Sequence, residues 1–188
     1  MSLVIVGTVA FDTIETPFGK ADMVVGGAAL YGSIAASHYT DDVQLVSVIG
    51  EDFPQGELDY MASRGINQEG LQLKKGEKSF YWSGRYHDNM NKRDTLVTDL
   101  NVLETFDPVL PDNYKESEYV MLGNLTPAVQ MQVVDQMILH PHGSNIANAA
   151  GPEFRIVITA LFEGRMMRGP AEEKLDIGNS DMPRSPPK

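Results

Sequence analysis

The amino-acid sequence predicts an α/β domain: a parallel sheet with flanking helices, carrying a second, small antiparallel sheet. Three observations predict it. Apolar runs of strand length alternate with helix-length segments between residues 3 and 64, the pattern of a parallel sheet buried on both faces. The stretch Val24-Val25-Gly26-Gly27-Ala28-Ala29-Leu30 takes an extended segment through two glycines directly into a helix of small and apolar residues. Between residues 70 and 102 the pattern shifts to short β-prone segments separated by charged turns, with Phe80, Tyr81, Trp82 and Tyr86 gathered in one of them.

Leu3 to Phe11 reads as one continuous strand, ending at Asp12-Thr13. Polar residues just past the C-terminal end of such a strand are where open α/β sheets bind ligands. Asp12 therefore has two readings, a turn-capping carboxylate or an acceptor for a ligand's hydroxyls. Thr13 to Val25, with Pro17 and Gly19, suggests a short ribbon that returns to the glycine pair. Gly26 and Gly27 permit φ > 0 and close approach of another group, and free amides at the start of the next helix favour a polar or anionic partner. The alternative is a turn that needs glycine for geometry alone.

The helix runs from Ala28 to about Tyr39, and Val43 to Gly50 reads as the next core strand. A loop through Pro54 leads to a helix from Gln55 to Arg64, closed by Gly65 in the usual C-terminal position. Gly70–Leu73, Ser79–Tyr86 and Thr95–Val102 form the predicted antiparallel sheet, a lid over a site, a dimer face or a plain satellite sheet. His87 and Asp88 fall in a turn between its strands, a weak metal signal. Tyr119 to Asn124 returns to the parallel-strand pattern, with Asn124 placed as Asp12 is. Thr126-Pro127 opens a helix to about Met137 through an N-cap and a first-position proline.

From Ile138 the character changes, so the chain divides into 1–137, with lid strands at about 13–25 and 70–102, and a divergent segment 138–188. Arg155–Phe162 reads as one more strand, and the Gly- and Pro-rich stretch from about 163 as a disordered tail. His140 and His142 flank a proline with no third ligand nearby, which favours solvated loop histidines over a metal site.

Composition narrows the function. A net charge of −11 and a pI near 4.7 argue against nucleic acid as a partner. The absence of cysteine excludes disulfides, thiolate metal sites and a cysteine nucleophile. No basic leader and no apolar run of the ~18 residues that span a bilayer is present, so a cytoplasmic protein without membrane contact is expected.

The strand ending in Asp12, the Gly26-Gly27 pair, Val48-Ile49-Gly50-Glu51-Asp52-Phe53-Pro54, Ser63-Arg64-Gly65-Ile66 and Trp82-Ser83-Gly84-Arg85-Tyr86 together resemble the N-terminal half of the PfkB (ribokinase-like) carbohydrate kinases over roughly residues 3–137. The resemblance implies a ribokinase-like fold with a β lid that closes over a sugar or nucleoside and often forms a homodimer contact. It implies that Asp12 accepts hydrogen bonds from the substrate's hydroxyls, that Gly26 and Gly27 form a hinge beside it, and that Arg85 and Asn124 line the site. Tyr31 stands where ribokinase itself has asparagine, which points away from ribose. The implied cofactors are ATP and Mg2+.

The family's phosphate turn, Gly-Ala-Gly-Asp, whose amides stabilise the moving phosphoryl group and whose aspartate takes the hydroxyl's proton, does not occur in this sequence, nor does its Asn-x-x-Glu magnesium motif. Gly178-Asn179-Ser180-Asp181 has the outline without a strand before or a helix after it. These departures count against ATP binding by this chain, leave no catalytic or metal residue to name, and suggest that the C-terminal half of the fold is missing or replaced. Two functions follow. One is a sugar or nucleoside kinase, cut short or frameshifted near residue 138 and inactive alone; the other is a non-catalytic sugar-binding or dimerisation module. A dinucleotide enzyme is disfavoured because Gly7-Thr8-Val9-Ala10-Phe11-Asp12 lacks the further glycines a pyrophosphate needs. A parallel sheet cut halfway exposes a strand edge, so marginal stability is expected unless the strand at 155–162 covers it.

Overall fold

The structure, a computed structural model, describes residues 1–137 and 155–158. The sheet forms around β1 (Ser2–Val6), whose Val4, Ile5 and Val6 are fully buried. β1 pairs in parallel with β4 (Asp42–Gly50) on one side and β8 (Tyr119–Leu122) on the other. β5 (Ile66–Lys74) extends the sheet beyond β4, and β9 (Arg155–Ile158) extends it beyond β8, with Tyr119 opposite Arg155 and Leu122 opposite Ile158. The order is β5-β4-β1-β8-β9, parallel throughout. The β8 edge is therefore covered by the strand on which the stability expectation turned.

Alternation along the strands fills two cores. Val4, Val6, Val46, Val48, Val120 and Leu122 point to one face, under Val133 of α3 (Pro127–Gln136) and the linker residues Val102, Phe106, Leu110 and Tyr114. Ile5, Val43, Leu45 and Ile49 point to the other, under α1 (Ala28–Ala36) and α2 (Gln55–Ser63). Tyr114 is fully buried, and its hydroxyl donates to the Asn67 carbonyl on β5 at 2.9 Å. Burial raises its pKa to about 12, so it stays a neutral donor. Tyr114→Phe leaves that carbonyl without its partner and is expected to cost about 1 kcal/mol, read as a lower urea midpoint with an unchanged slope.

The second sheet holds β2 (Ala10–Thr16), β3 (Gly19–Gly26), β6 (Phe80–Tyr86) and β7 (Arg93–Asp99) in the order β3-β2-β6-β7. Three sequence expectations are corrected here. The sheet is mixed rather than antiparallel: β2–β3 and β6–β7 are hairpins, but β2 and β6 run parallel at its centre. β2 follows the C-terminal end of β1 and β6 that of β5 in the parallel sheet, so both first strands set out in the same direction. Gly70–Leu73 belongs to β5 and the parallel sheet, not to the lid. Gly70 lies so close to β4 that a Cβ there would come 2.7 Å from the Leu45 carbonyl oxygen.

The third correction concerns the first apolar run. It is two strands: the chain leaves one sheet after Val6 and enters the other at Ala10. The crossing is anchored by the Ser47 hydroxyl donating to the Gly7 carbonyl at 2.7 Å and by the Gly123 N–H donating to the Val6 carbonyl at 2.7 Å. Asp12 accordingly lies within β2 rather than past a strand end. His140, His142, residues 159–162 of the last strand, Gly178–Asp181 and the tail lie outside the described residues.

Candidate functional site

The strand order identifies where a ligand belongs. From β1 the chain continues to β4 on one side of the sheet, whereas β8 and β9 lie on the other. The gap between the C-terminal ends of β1 and β8 is a topological switch point, where diverging connections leave a crevice. Thr8 follows β1, Asn124 follows β8, and α1 starts beside them. The three are joined directly. The Thr8 hydroxyl donates to Asn124 Oδ1 at 2.9 Å and accepts from the Ala28 N–H at 3.2 Å, while the Thr8 carbonyl accepts from the Ala29 N–H at 3.0 Å.

The first amides of α1 are thus engaged within the protein, contrary to the expectation of free donors for an anion. Thr8 fills the capping role at a helix whose N-cap residue, Gly27, has no side chain to do so. Thr8→Val keeps the shape, strips the Ala28 amide and Asn124 of a partner, and is expected to cost about 1–2 kcal/mol in equilibrium unfolding.

Asp12 and the glycine pair meet on the lid side of the same junction. The Asp12 carboxylate lies directly over Gly26, where any Cβ would overlap it. Gly27 has φ 106° and packs against the Thr8 carbonyl. Asp12 is half-buried, and its carboxylate has no hydrogen-bond or ion-pair partner among the described residues. Desolvation by burial holds its pKa above the ordinary carboxylate value of 3.8. A half-buried carboxylate left without a partner, yet open to solvent, is a group prepared to accept hydrogen bonds from something else.

Tyr31, one turn into α1, donates its hydroxyl to the Val25 carbonyl at 3.0 Å and leaves its ring exposed. Trp82 stands beside Asp12 in the β2–β6 register, lies over Gly84 and carries the Arg93 guanidinium 5.4 Å from its ring centre. Arg85 is placed elsewhere. It pairs in register with Glu15, three positions along from the Asp12–Trp82 pair, about 10 Å at the usual strand rise. Odd spacing also puts it on the opposite face of the lid. Its guanidinium donates to Glu15 Oε2 at 2.7 Å, and both line a cleft of about 500 Å³ with Tyr86, His87 and Asn89. His87 Nε2 lies 3.1 Å from Asp94.

The structure therefore gathers Asp12, Gly26 and Gly27, ties Asn124 to them through Thr8, and leaves Arg85 apart. Thr8 escaped the sequence reading because it lies inside an apolar run; its one signal is a hydroxyl next to Gly7 where that run had to break. Among the described residues, no group of three or more His, Asp or Glu side chains is gathered to hold a metal ion. The junction does not fit a polyphosphate either, since the Ala28 and Ala29 amides are engaged and Asp12 is an acceptor.

No protein-family model matches the chain. The cytidine kinase of Thermococcus kodakarensis is 26% identical over 138 residues, 73% of this chain and 48% of that protein. Among solved structures, the ribokinase of Cryptococcus neoformans var. grubii in complex with ADP superposes with a TM-score of 0.60 at 15% identity, covering 86% of this chain and 52% of that one. The fold is ribokinase-like. The nucleoside kinase of Methanocaldococcus jannaschii, an archaeal member of the ribokinase family, gives a TM-score of 0.58 at 16% identity, over 84% of this chain and 52% of that one. The nucleoside kinase of Burkholderia thailandensis in complex with inosine gives 0.55 at 17%, over 72% and 47%. The chain spans about half the length of the curated relative it matches. The ribokinase-like resemblance of residues 3–137 is borne out, with the parallel sheet and lid it implied.

Proposed function

We propose that residues 1–137 form the acceptor-binding half of a sugar or nucleoside kinase, with the acceptor's hydroxyls donating to Asp12 beneath the lid. The observation that carries this is the Asp12 carboxylate at the switch point, seated on Gly26 and without a hydrogen-bond or ion-pair partner among the described residues. Hydrogen bonds to an ionised carboxylate are short and strong, and a polyhydroxylated ring supplies several donors to one group. Gly26 keeps the backbone low enough for a ring to reach it. Asn124, steadied by Thr8 at 2.9 Å through its Oδ1, makes no hydrogen bond with its amide NH2 among the described residues, which suits it to a second contact.

The phosphate donor in the complete reaction is ATP with Mg2+, as the likeness to a ribokinase solved with ADP supports, and the setting is the cytoplasm. Transfer needs amides aimed at the phosphoryl group and a base for the acceptor hydroxyl. The sequence has no Gly-Ala-Gly-Asp to supply them, so this chain by itself binds the acceptor and does not phosphorylate it. The pairing of β9 with β8 favours the second reading, a self-standing binding module, because it covers the edge that a half-sheet leaves open. Exposed Phe18, Met23, Leu96 and Val97 on the lid suit a homodimer contact in either case.

Calorimetric titration of the 188-residue chain with ribose, cytidine and inosine tests the proposal, alongside transfer from labelled ATP. Saturable binding to one of the three without transfer is expected. No saturation at millimolar ligand overturns the acceptor site, and label in the product overturns the assignment of binding alone.

A further inference from the structure

Ser79, the residue before β6, is 1% exposed and has every polar group engaged. Its N–H and its hydroxyl both donate to Asp52 Oδ1 at 2.8 Å. Its Oγ accepts from the Gly50 N–H at 2.9 Å, and its carbonyl accepts from the Asn101 side-chain amide at 2.8 Å. Around it, Glu51 N–H donates to the Glu77 carbonyl at 3.0 Å and Val102 N–H to the Lys78 carbonyl at 3.1 Å. A Cβ on Gly50 would overlap the backbone of Glu77 and Lys78, so the linker lies directly on the end of β4.

These contacts fall at a particular place. The chain passes between the parallel sheet and the lid at 7–9, 26–27, 75–79 and 100–102. The first two crossings are fastened to each other at Thr8, and the last two at Ser79. A linker that needed only to satisfy its backbone would not call for a buried hydroxyl and a carboxylate oxygen at one point; charge-assisted bonds of this kind fix an angle as well as a distance. From Ser79, β6 runs three residues to Trp82, the register partner of Asp12. Whatever sets the direction of β6 at Ser79 sets the wall beside the Asp12 carboxylate.

We propose that Asp52 and Ser79 form a positioning pair that fixes the lid against the parallel sheet and thereby sets the affinity of the Asp12 site. The proposal rests on the acceptor-binding role of Asp12 for its effect on affinity, but not for its effect on the lid. Neither residue is a catalytic residue; both act through the placement of β6.

The chain has no cysteine, so Leu96→Cys on β7 and Tyr60→Cys on α2, both at exposed positions, give a clean pair of spin labels across the junction. One narrow distance distribution is expected in the labelled parent. Asp52→Ala is expected to broaden it about twofold, and Asp52→Asn, which retains the Oδ1 acceptor, to restore it. Titrated with whichever of ribose, cytidine and inosine the parent binds, Asp52→Ala is expected to lose about tenfold in affinity and Asp52→Asn to recover most of it. If Asp52→Ala does not fold, Ser79→Ala carries the same test, because it removes the hydroxyl that joins Asp52 to the Gly50 amide while the backbone N–H bond to Asp52 remains. An unchanged distance distribution in the folded variant overturns the proposal, as does a broadened lid with unaltered affinity. A parent that binds none of the three ligands overturns the acceptor reading instead, and the label distances still decide whether the pair holds the lid.

Discussion

Gly27→Ala will destabilise the fold by about 3–5 kcal/mol, whereas Gly26→Ala will spare the fold and damage binding. The two glycines are adjacent, yet the structure separates their roles. Gly27 has φ 106° and ψ 146°, a combination that costs a residue with a Cβ about 1–3 kcal/mol. The added carbon would also overlap the Thr8 carbonyl oxygen and come 2.7 Å from its carbon. Those are backbone atoms, which cannot rotate away. Relief requires α1 and the β1–β2 crossing to part, at the expense of the Ala28 and Ala29 hydrogen bonds to Thr8, about 1 kcal/mol each. Against a total stability of about 5–15 kcal/mol, that is a large share. At Gly26 the atom in the way is the far end of the Asp12 side chain, which swings aside and takes the proposed acceptor with it. Gly56, in α2 with nothing within 4 Å of a Cβ, is the control, and Gly56→Ala is expected to gain about 0.5 kcal/mol. Urea midpoints for the three variants decide the matter. A Gly27→Ala protein that melts with the parent would show that the glycine pair is turn punctuation and no more.

How far the sequence revealed this arrangement depended on whether the information was local. β4 is buried on both faces, β8 is buried on one face and half-buried on the other, and both read as short runs dominated by apolar residues, so their existence and their parallel character were legible. α3 was legible because Thr126 caps it, its hydroxyl accepting from the Val129 N–H at 3.3 Å. The break in the first run was not, because Gly7-Thr8-Val9 is as apolar as the strands on either side, and only the pairing of Val6 and Ala10 with different sheets separates them. β5 was misassigned for a related reason. Only Ile66 and Gly70 of it are buried, so it carries an edge strand's mixed pattern and looks like its neighbours in the lid.

The site followed the same rule. Asp12 and the glycine pair stand out in the sequence through a motif, and the contact of Asp12 with Gly26 is made within one hairpin. Arg85 was placed by resemblance, but its face and its distance from Asp12 depend on the register of two strands separated by some seventy residues, which nothing local records. Thr8 and Ser79, the two residues that fasten the lid, carry no sequence signal beyond a hydroxyl beside a strand end.

Asp12→Asn is expected to change stability and binding in opposite directions. Burial raises the carboxyl's pKa above 3.8, so between that value and the higher folded one the native state holds more proton than the unfolded state. Stability then falls as pH rises through the carboxylate range, and at neutral pH the fold carries an ionised, under-hydrated group with no partner among the described residues. Asparagine, of the same shape and uncharged, removes that burden. Solvent still reaches the carboxylate, which discounts the gain to less than about 1 kcal/mol, or about 2 °C in melting temperature for a chain of this size. The pH-dependent fall attributable to Asp12 should vanish in the variant. Ligand affinity should move the other way, weakening by about 1–3 kcal/mol as the acceptor's hydroxyls lose a charged partner. A structural carboxylate that merely caps a turn predicts the reverse: removing it lowers stability and leaves a ligand indifferent. Melting curves of parent and variant from pH 4 to 8, with and without the ligand, therefore distinguish the two roles of Asp12 in one series. An Asp12→Asn protein that melts lower and binds as before would remove Asp12 from the site.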